Sequence, residues 1–340
     1  MECSRRDTVK LLVASTAAFV GGTGMAASLK HNRPNSKWAG VQVGLNVPYS
    51  FGTRTAMSAE EVLRRTVELG ISAVELRLQP IEISMGLPRE LVLGPAPSDY
   101  SAVYYPLGDA PAVIPPAPGR TVLTPADIAT YQAGAAPRRE WRVRQSMHAA
   151  QALRRKYAAA GVKIDIVKID GISDLEGDEL DYAFRLAKTL GARAISGEML
   201  VPAVPRLAAA ANRHRFMVAL HNHLPITPAL WEDAFQYSPY IGANVDLGHF
   251  VAGNRTSPIA FIEKHHRRIP HIHVKDKTLD NINVEFGTGD TPIKDVLRLL
   301  RDKNWPITAV IEYELKLPVT ADRTAEVRKA IEFCHNCLIS

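Results

Sequence analysis

Eight apolar, β-branched segments separated by stretches of helical period constrain this chain more than any other feature. Strands are expected at 41–47, 73–78, 162–169, 194–199, 216–223, 241–247, 271–275 and 308–312. The stretch 58–70 shows the intervening pattern. It opens on Ser58 with Glu61 three residues on, a capping-box arrangement. It then carries Val62, Leu63, Val67 and Leu69 as an apolar stripe and stops at Gly70. Further helices are expected over 137–161, 175–190, 202–213, 229–236, 258–266, 293–303 and 324–334. Strands that alternate with helices need crossover connections, and hence a parallel sheet. Eight such units in a chain of this length predict an α/β fold of the closed (β/α)8 type, a TIM barrel, in preference to an open doubly wound sheet. No Gly-x-Gly-x-x-Gly follows the first strand, so a dinucleotide fold lacks its signature. Gly287-Thr288-Gly289 reads as a turn or a phosphate contact. Residues 80–137 break the rhythm after the second strand. They are dense in Pro, Gly and Ala and too long for a routine loop, so they form an insertion expected to act as a lid, a flap or a partner-binding segment.

The 340 residues suit one large domain, placed at 39–340. The net charge of +6 invites a nucleic-acid partner. Much of it, however, sits in the first 37 residues, where Arg5, Arg6, Lys10, Lys30, Arg33 and Lys37 face only Glu2 and Asp7. The remainder is nearly neutral, which argues against nucleic acid and for a small-molecule partner. The start of the chain reads as an export signal over 1–27, followed by a polar linker at 28–38. Ser4-Arg5-Arg6-Asp7-Thr8-Val9-Lys10 resembles the twin-arginine pattern, although Thr8 stands where that pattern favours a bulky apolar residue. Residues 11–20 are apolar and uncharged but too few to span a bilayer, and 21–27 offer small residues for cleavage near Ala26 or Ala27. The expectation is an exported, periplasmic protein with no stable membrane span after processing. Cys334 and Cys337 form a Cys-x-x-Cys on the last helix, outside any strand-turn-helix redox context, and read as structural.

The polar residues of the barrel strands cluster at their C-terminal ends, where barrels of this kind build their sites. They are Glu75, Lys168, Glu198, His221, Asp246, His273 and Glu312. An isolated buried Glu or His is costly unless paired or metal-bound, so seven at strand ends point to one converging site. The two-residue period adds companions on the same faces: His223 with His221, His271 and Lys275 with His273, and Glu314 with Glu312. Mixed carboxylate and imidazole donors suit one divalent ion, Mn²⁺, Zn²⁺, Co²⁺ or Mg²⁺. Lys275 reads equally as a site residue or as an ion pair with Asp276 or another carboxylate. His265-His266-Arg267-Arg268 reads as a solvated helix end, and His148 and His214 as surface residues.

His221-Asn222-His223, Asn244-Val245-Asp246-Leu247-Gly248-His249, His271-Ile272-His273-Val274-Lys275-Asp276, Phe286-Gly287-Thr288-Gly289-Asp290 and Ile311-Glu312-Tyr313-Glu314 together resemble the sugar phosphate isomerase/epimerase family of the xylose-isomerase-like barrels. The resemblance runs from about Val41 to the C-terminus. It implies a metal site built from a Glu, an Asp, a His and a Glu on strands five to eight. Those positions fall on His221, Asp246, His273 and Glu312, so the chain departs from the pattern at His221. Glu198, one strand earlier, is the candidate to restore the missing carboxylate. The implied reaction is proton abstraction beside a sugar carbonyl by Glu198 or Glu312, giving an isomerase or epimerase. His249 and Lys275 are then proton shuttles or substrate contacts, Lys168 stabilises the oxyanion, and Glu75, His223 and His271 touch the substrate. A lyase or dehydratase on a keto-sugar would use the same site. A phosphodiesterase like the AP endonucleases and a non-catalytic carbohydrate-binding protein are weaker readings. Assembly into a homo-oligomer is compatible with the sequence.

Overall fold

The computed structural model describes residues 33–52, 57–92, 103–107, 110–113, 129–130 and 132–340. The expected export signal and residues 28–32 of the linker lie outside them. Eight parallel strands close on themselves: β1 (Val41–Val47), β2 (Ala73–Arg77), β3 (Lys163–Lys168), β4 (Ala194–Glu198), β5 (Met217–His221), β6 (Ile241–Asp246), β7 (His271–Val274) and β8 (Thr308–Ile311). Each pairs with the next, and β8 pairs with β1, which leaves the barrel with no open edge. Lys37–Trp38, expected within the linker, instead adds a short antiparallel strand against Val41 and Gln42.

Helices follow the strands because the apolar stripes need somewhere to go. Ser58 caps the first one, Ala59–Glu68, by accepting the Glu61 amide, while Val62 and Leu63 pack inward. Ile293–Asp302 buries Val296, Leu297 and Leu300 on one face. Full burial of such aliphatic side chains contributes roughly 1.5–3 kcal/mol each. At the opposite end of the barrel from the site, Asp165, Arg193 and Thr308 form a polar plug. Arg193 donates to Asp165 Oδ2 at 3.0 Å and to the Pro270 carbonyl at 2.5 Å.

The connection from β2 to β3 holds the insertion. Among the described residues it includes the helix Leu78–Ser84 and an antiparallel hairpin of Val103–Leu107 with Ala110–Val113. The single helix expected over 137–161 is instead two, Ala135–Arg144 and His148–Ala159, broken where Gln145 turns extended. Arg142 explains the break. Its guanidinium is turned inward onto Glu82, at 2.7 Å, and Glu179, so the first helix is anchored by a buried ion pair and not by the apolar stripe of the second. A further helix, Leu247–Asn254, starts directly at the end of β6, ahead of the one expected at 258–266.

Candidate metal centre

Asp246 ends β6 and caps the helix that follows, with Oδ1 accepting the His249 amide at 2.8 Å. Its own amide donates to Asn222 Oδ1 at 2.7 Å. These bonds aim Oδ2 into the barrel mouth. The register sets His273 beside Asp246, His221 ends β5, and Glu312 follows β8. One donor atom from each of His221, Asp246, His273 and Glu312 lies within 4.8 Å of the others, and all four residues are buried. The close pairs are His221 Nε2 to Asp246 Oδ2, 3.6 Å, His273 Nδ1 to Asp246 Oδ2, 3.9 Å, and His273 Nδ1 to Glu312 Oε2, 3.5 Å. Donors held at about 2.1 Å from one tetrahedral ion lie about 3.4 Å apart, and these three pairs come within about half an ångström of that spacing. His221 Nε2, Asp246 Oδ2 and His273 Nδ1 make no hydrogen bond among the described residues. Buried polar atoms normally find partners, and three orphans facing one another fit a missing ligand common to them. The residues therefore fit a divalent ion.

Two buried carboxylates hold the imidazoles. Glu198 Oε2 lies 2.9 Å from His221 Nδ1, and Glu75 Oε2 lies 2.5 Å from His273 Nε2. Despite burial, which opposes charge, the neighbouring histidines keep both carboxyls well below the usual range, and for Glu198 Lys168 assists. An ionised carboxylate only accepts, so each imidazole gives it an N–H and turns its other nitrogen to the mouth. Burial works against a charged His273, yet Glu75 and Glu312 outweigh it and lift its pKa to about 9. A cation taken up at Nδ1 displaces a proton there.

Glu312 is held from both sides. Oε1 accepts from Asn46 Nδ2 at 2.7 Å and lies 3.7 Å from Arg77, while Oε2 lies 2.6 Å from Lys275 Nζ. Lys275 also lies 3.3 Å from Asp246 Oδ2 and 2.6 Å from Glu314 Oε2. Burial alone would favour the neutral amine, but these three carboxylates keep Lys275 well above the ordinary lysine value. Of the two expected carboxylate partners, the structure thus supplies other carboxylates, those of the site, in place of Asp276. Asp276 instead accepts the amides of Gly287, at 2.7 Å, and Gly289, at 3.1 Å, which makes Gly287-Thr288-Gly289 a pinned turn and commits those amides away from any phosphate. His249 stays neutral. Burial holds its pKa well below the usual histidine value against the pull of Asp246, and Lys275 and Lys277 add to that.

Several expected roles change. Glu198 lies outside the group of four and instead joins His221 and His223, each at 2.9 Å, in a second group able to hold a cation, while its other oxygen lies 2.7 Å from Lys168. Lys168 is correspondingly paired with Glu198 and turned away from an oxyanion role. Glu75 and His271 are fully buried with His273, His271 Nε2 lying 3.3 Å from Glu75 Oε1, and expose no surface at the mouth. His223 does remain at the mouth, with 19% of its side chain exposed. Sequence reasoning overlooked Asn46 and Arg77 as site residues; the two-residue period from Glu75 already placed Arg77 on the inner face. It also overlooked Lys277, two residues past Lys275. His148 is exposed as expected, while His214 is half-buried against Phe184 and bonded to Asp181 at 2.7 Å.

A closed parallel barrel with imidazole and carboxylate donors at the C-terminal ends of its strands defines a recognisable class of protein. A family model described as xylose isomerase-like TIM barrel matches residues 138–337, and the chain belongs to that family. Solved structures share the fold at low identity. A xylose isomerase domain protein from Planctomyces limnophilus is 16% identical, with a TM-score of 0.54 over 88% of this chain and 97% of its own. A sugar phosphate isomerase/epimerase from Parabacteroides distasonis is 12% identical, with a TM-score of 0.50 over 88% and 97%. A protein described as the probable 3-DHS dehydratase AsbF, from Bacillus anthracis, is 12% identical, with a TM-score of 0.51 over 86% and 98%. No curated protein matches. No helix among the described residues is long and apolar enough to cross a membrane.

Proposed function

We propose that the chain is a divalent-metal-dependent enzyme that removes a proton beside the carbonyl of a sugar or sugar derivative, as an isomerase or epimerase. The convergence of His221, Asp246, His273 and Glu312, with three of their donor atoms making no hydrogen bond among the described residues, carries this reading. The two nitrogen and two oxygen donors suit Mn²⁺, Zn²⁺ or Co²⁺ better than Mg²⁺. When bound, the ion supplies Lewis acidity that polarises the carbonyl and acidifies the neighbouring C–H. The chain's own groups do the rest. His223, the most open imidazole of the site, lies 2.9 Å from Glu198 and is placed to take the proton. Glu198 thus acts through His223 and not directly. Glu312, tied by Asn46 and Lys275, serves as a ligand and not as the base. Lys275 offsets negative charge at the mouth. Return of the proton gives the isomer or epimer.

A lyase is the second reading, and His221 favours it. A histidine where relatives place a carboxylate leaves proton handling on one side of the substrate, which suits expulsion of a leaving group better than two-sided epimerisation. The Bacillus anthracis neighbour described as a dehydratase points the same way. Solvent-deuterium incorporation, followed by NMR over ketoses, aldoses and 3-keto-glycosides, tests both. Exchange into substrate and isomer supports the isomerase, exchange with release of a leaving group supports the lyase, and no exchange with metal-loaded protein refutes proton abstraction. Export through the Arg5-Arg6 signal is a separate proposal, supported by the uncharged apolar run at 11–20. R5K/R6K should retain the protein in the cytoplasm, as read by cell fractionation.

A further inference from the structure

Three lysines are buried in the described structure, Lys168, Lys275 and Lys277. Lys168 pairs with Glu198, and Lys275 with three carboxylates. Lys277 has no carboxylate partner among the described residues. Its ammonium donates once, to the Asn281 carbonyl at 3.3 Å, although the residue is only 3% exposed. A buried cation with unmet donors is unfavourable unless something negative completes it.

The chain takes trouble to hold this lysine where it is. The stem lies over Gly248, where an added Cβ would meet Lys277 Cγ at 3.0 Å and the Lys275 carbonyl at 3.1 Å. The Lys277 amide donates to Thr291 Oγ1 at 3.0 Å, and its carbonyl accepts from Asp290 at 2.9 Å. Asn281, which supplies the lone acceptor, sits at φ +65°. Beside Gly248 is His249, itself buried. Lys275 Nζ lies 3.4 Å from His249 Nε2, so in a neutral ring Nδ1 carries the hydrogen, and Nδ1 has no hydrogen-bond partner among the described residues. Two donors at the β6–β7 side of the mouth are therefore unmet.

We propose that Lys277, with His249, forms an anion subsite of this pocket, and that the substrate carries a carboxylate or phosphate group which Lys277 binds. This deepens the reading of the barrel mouth as a sugar site and rests on it. Burial, then the nearby Lys275, draws the Lys277 pKa down to about 8 against the pull of Glu314, Asp246 and Glu312. An anion there meets little solvent screening.

The test uses the full-length protein loaded with Mn²⁺ and three ligands on one skeleton: D-glucose, D-glucuronate and D-glucose 6-phosphate, with acetate and inorganic phosphate as minimal anions. Affinities are read by calorimetry for wild type, K277M and K277R. A charged hydrogen bond contributes roughly 1.5–3 kcal/mol, so at least one anionic ligand should bind about 10- to 100-fold more tightly than D-glucose or its minimal counterpart should bind detectably. K277M should erase that preference and K277R should retain part of it. The carboxylate and phosphate arms identify the anion. No anion binding by wild type, or an unchanged preference in K277M, overturns the proposal. Metal content and deuterium exchange, measured on the same samples, separate this outcome from failure of the metal-enzyme reading.

Discussion

Replacing Lys277 by methionine should make the protein more stable, and the size of the gain follows from the site. The lysine pKa falls from 10.5 to about 8, chiefly through burial. At about 1.36 kcal/mol per unit, holding this ammonium charged in the fold costs about 3 kcal/mol near neutral pH. The sign follows from the direction of the shift. The folded state releases the proton more readily than the unfolded chain, so the penalty is present in full below pH 8 and is relieved as pH rises from about 8 towards 10.5. Methionine keeps the unbranched stem over Gly248 without the charge. K277M should therefore exceed wild type by about 2–3 kcal/mol at pH 7, shrinking to about 1 kcal/mol near pH 9.5. Urea denaturation of metal-loaded full-length protein at the two pH values measures both numbers. A gain that is absent at pH 7, or the same at both values, would show that the ammonium is already satisfied and would remove the physical reason for an anion there. A gain that tracks pH marks a group kept at the expense of stability.

Other substitutions probe the remaining joints. E75Q should lower metal affinity about 10- to 100-fold by releasing His273 from its partner, as measured by competition with a coloured chelator, while the circular dichroism spectrum holds. H223N should retain metal but lose deuterium exchange by about 100-fold or more if His223 takes the proton, and equal exchange would assign that step elsewhere. G248A should destabilise the protein by about 1–3 kcal/mol, because the added methyl presses on the Lys277 stem and the Lys275 carbonyl; a neutral result would mean that the stem is free to move.

Which parts of this site could be read from the sequence depends on what each residue's position encodes. The eight strands and the barrel were legible because β-branched runs and capped helices are local signals, as at Ser58 and Glu61. Asp246, His273 and Glu312 were legible because a polar residue at the end of an apolar strand has few bland explanations. Depth was not legible. Along β7 and its extension, His271, His273, Lys275 and Lys277 share one sequence parity, and nothing in a two-residue period says how far each stands from the mouth. The structure grades them. His271 is sealed against Glu75, His273 faces the converging donors, Lys275 neutralises three carboxylates, and Lys277 is left with a single carbonyl. The surroundings of Glu198 were not legible for a related reason. Its strand neighbour is His221, and the β4–β5 register sets the two side by side, which makes a hydrogen bond between them easier than a shared ion. On the proposed reading, the departure at His221 needs no rescue from Glu198 on the preceding strand. An imidazole whose far nitrogen is held by a carboxylate fills the same position with a neutral donor, and the charge removed from the site by that exchange is one negative unit. Lys275 lies against three carboxylates, and Lys277, two residues on, has no carboxylate partner among the described residues, which is where the proposed anionic substrate group would sit.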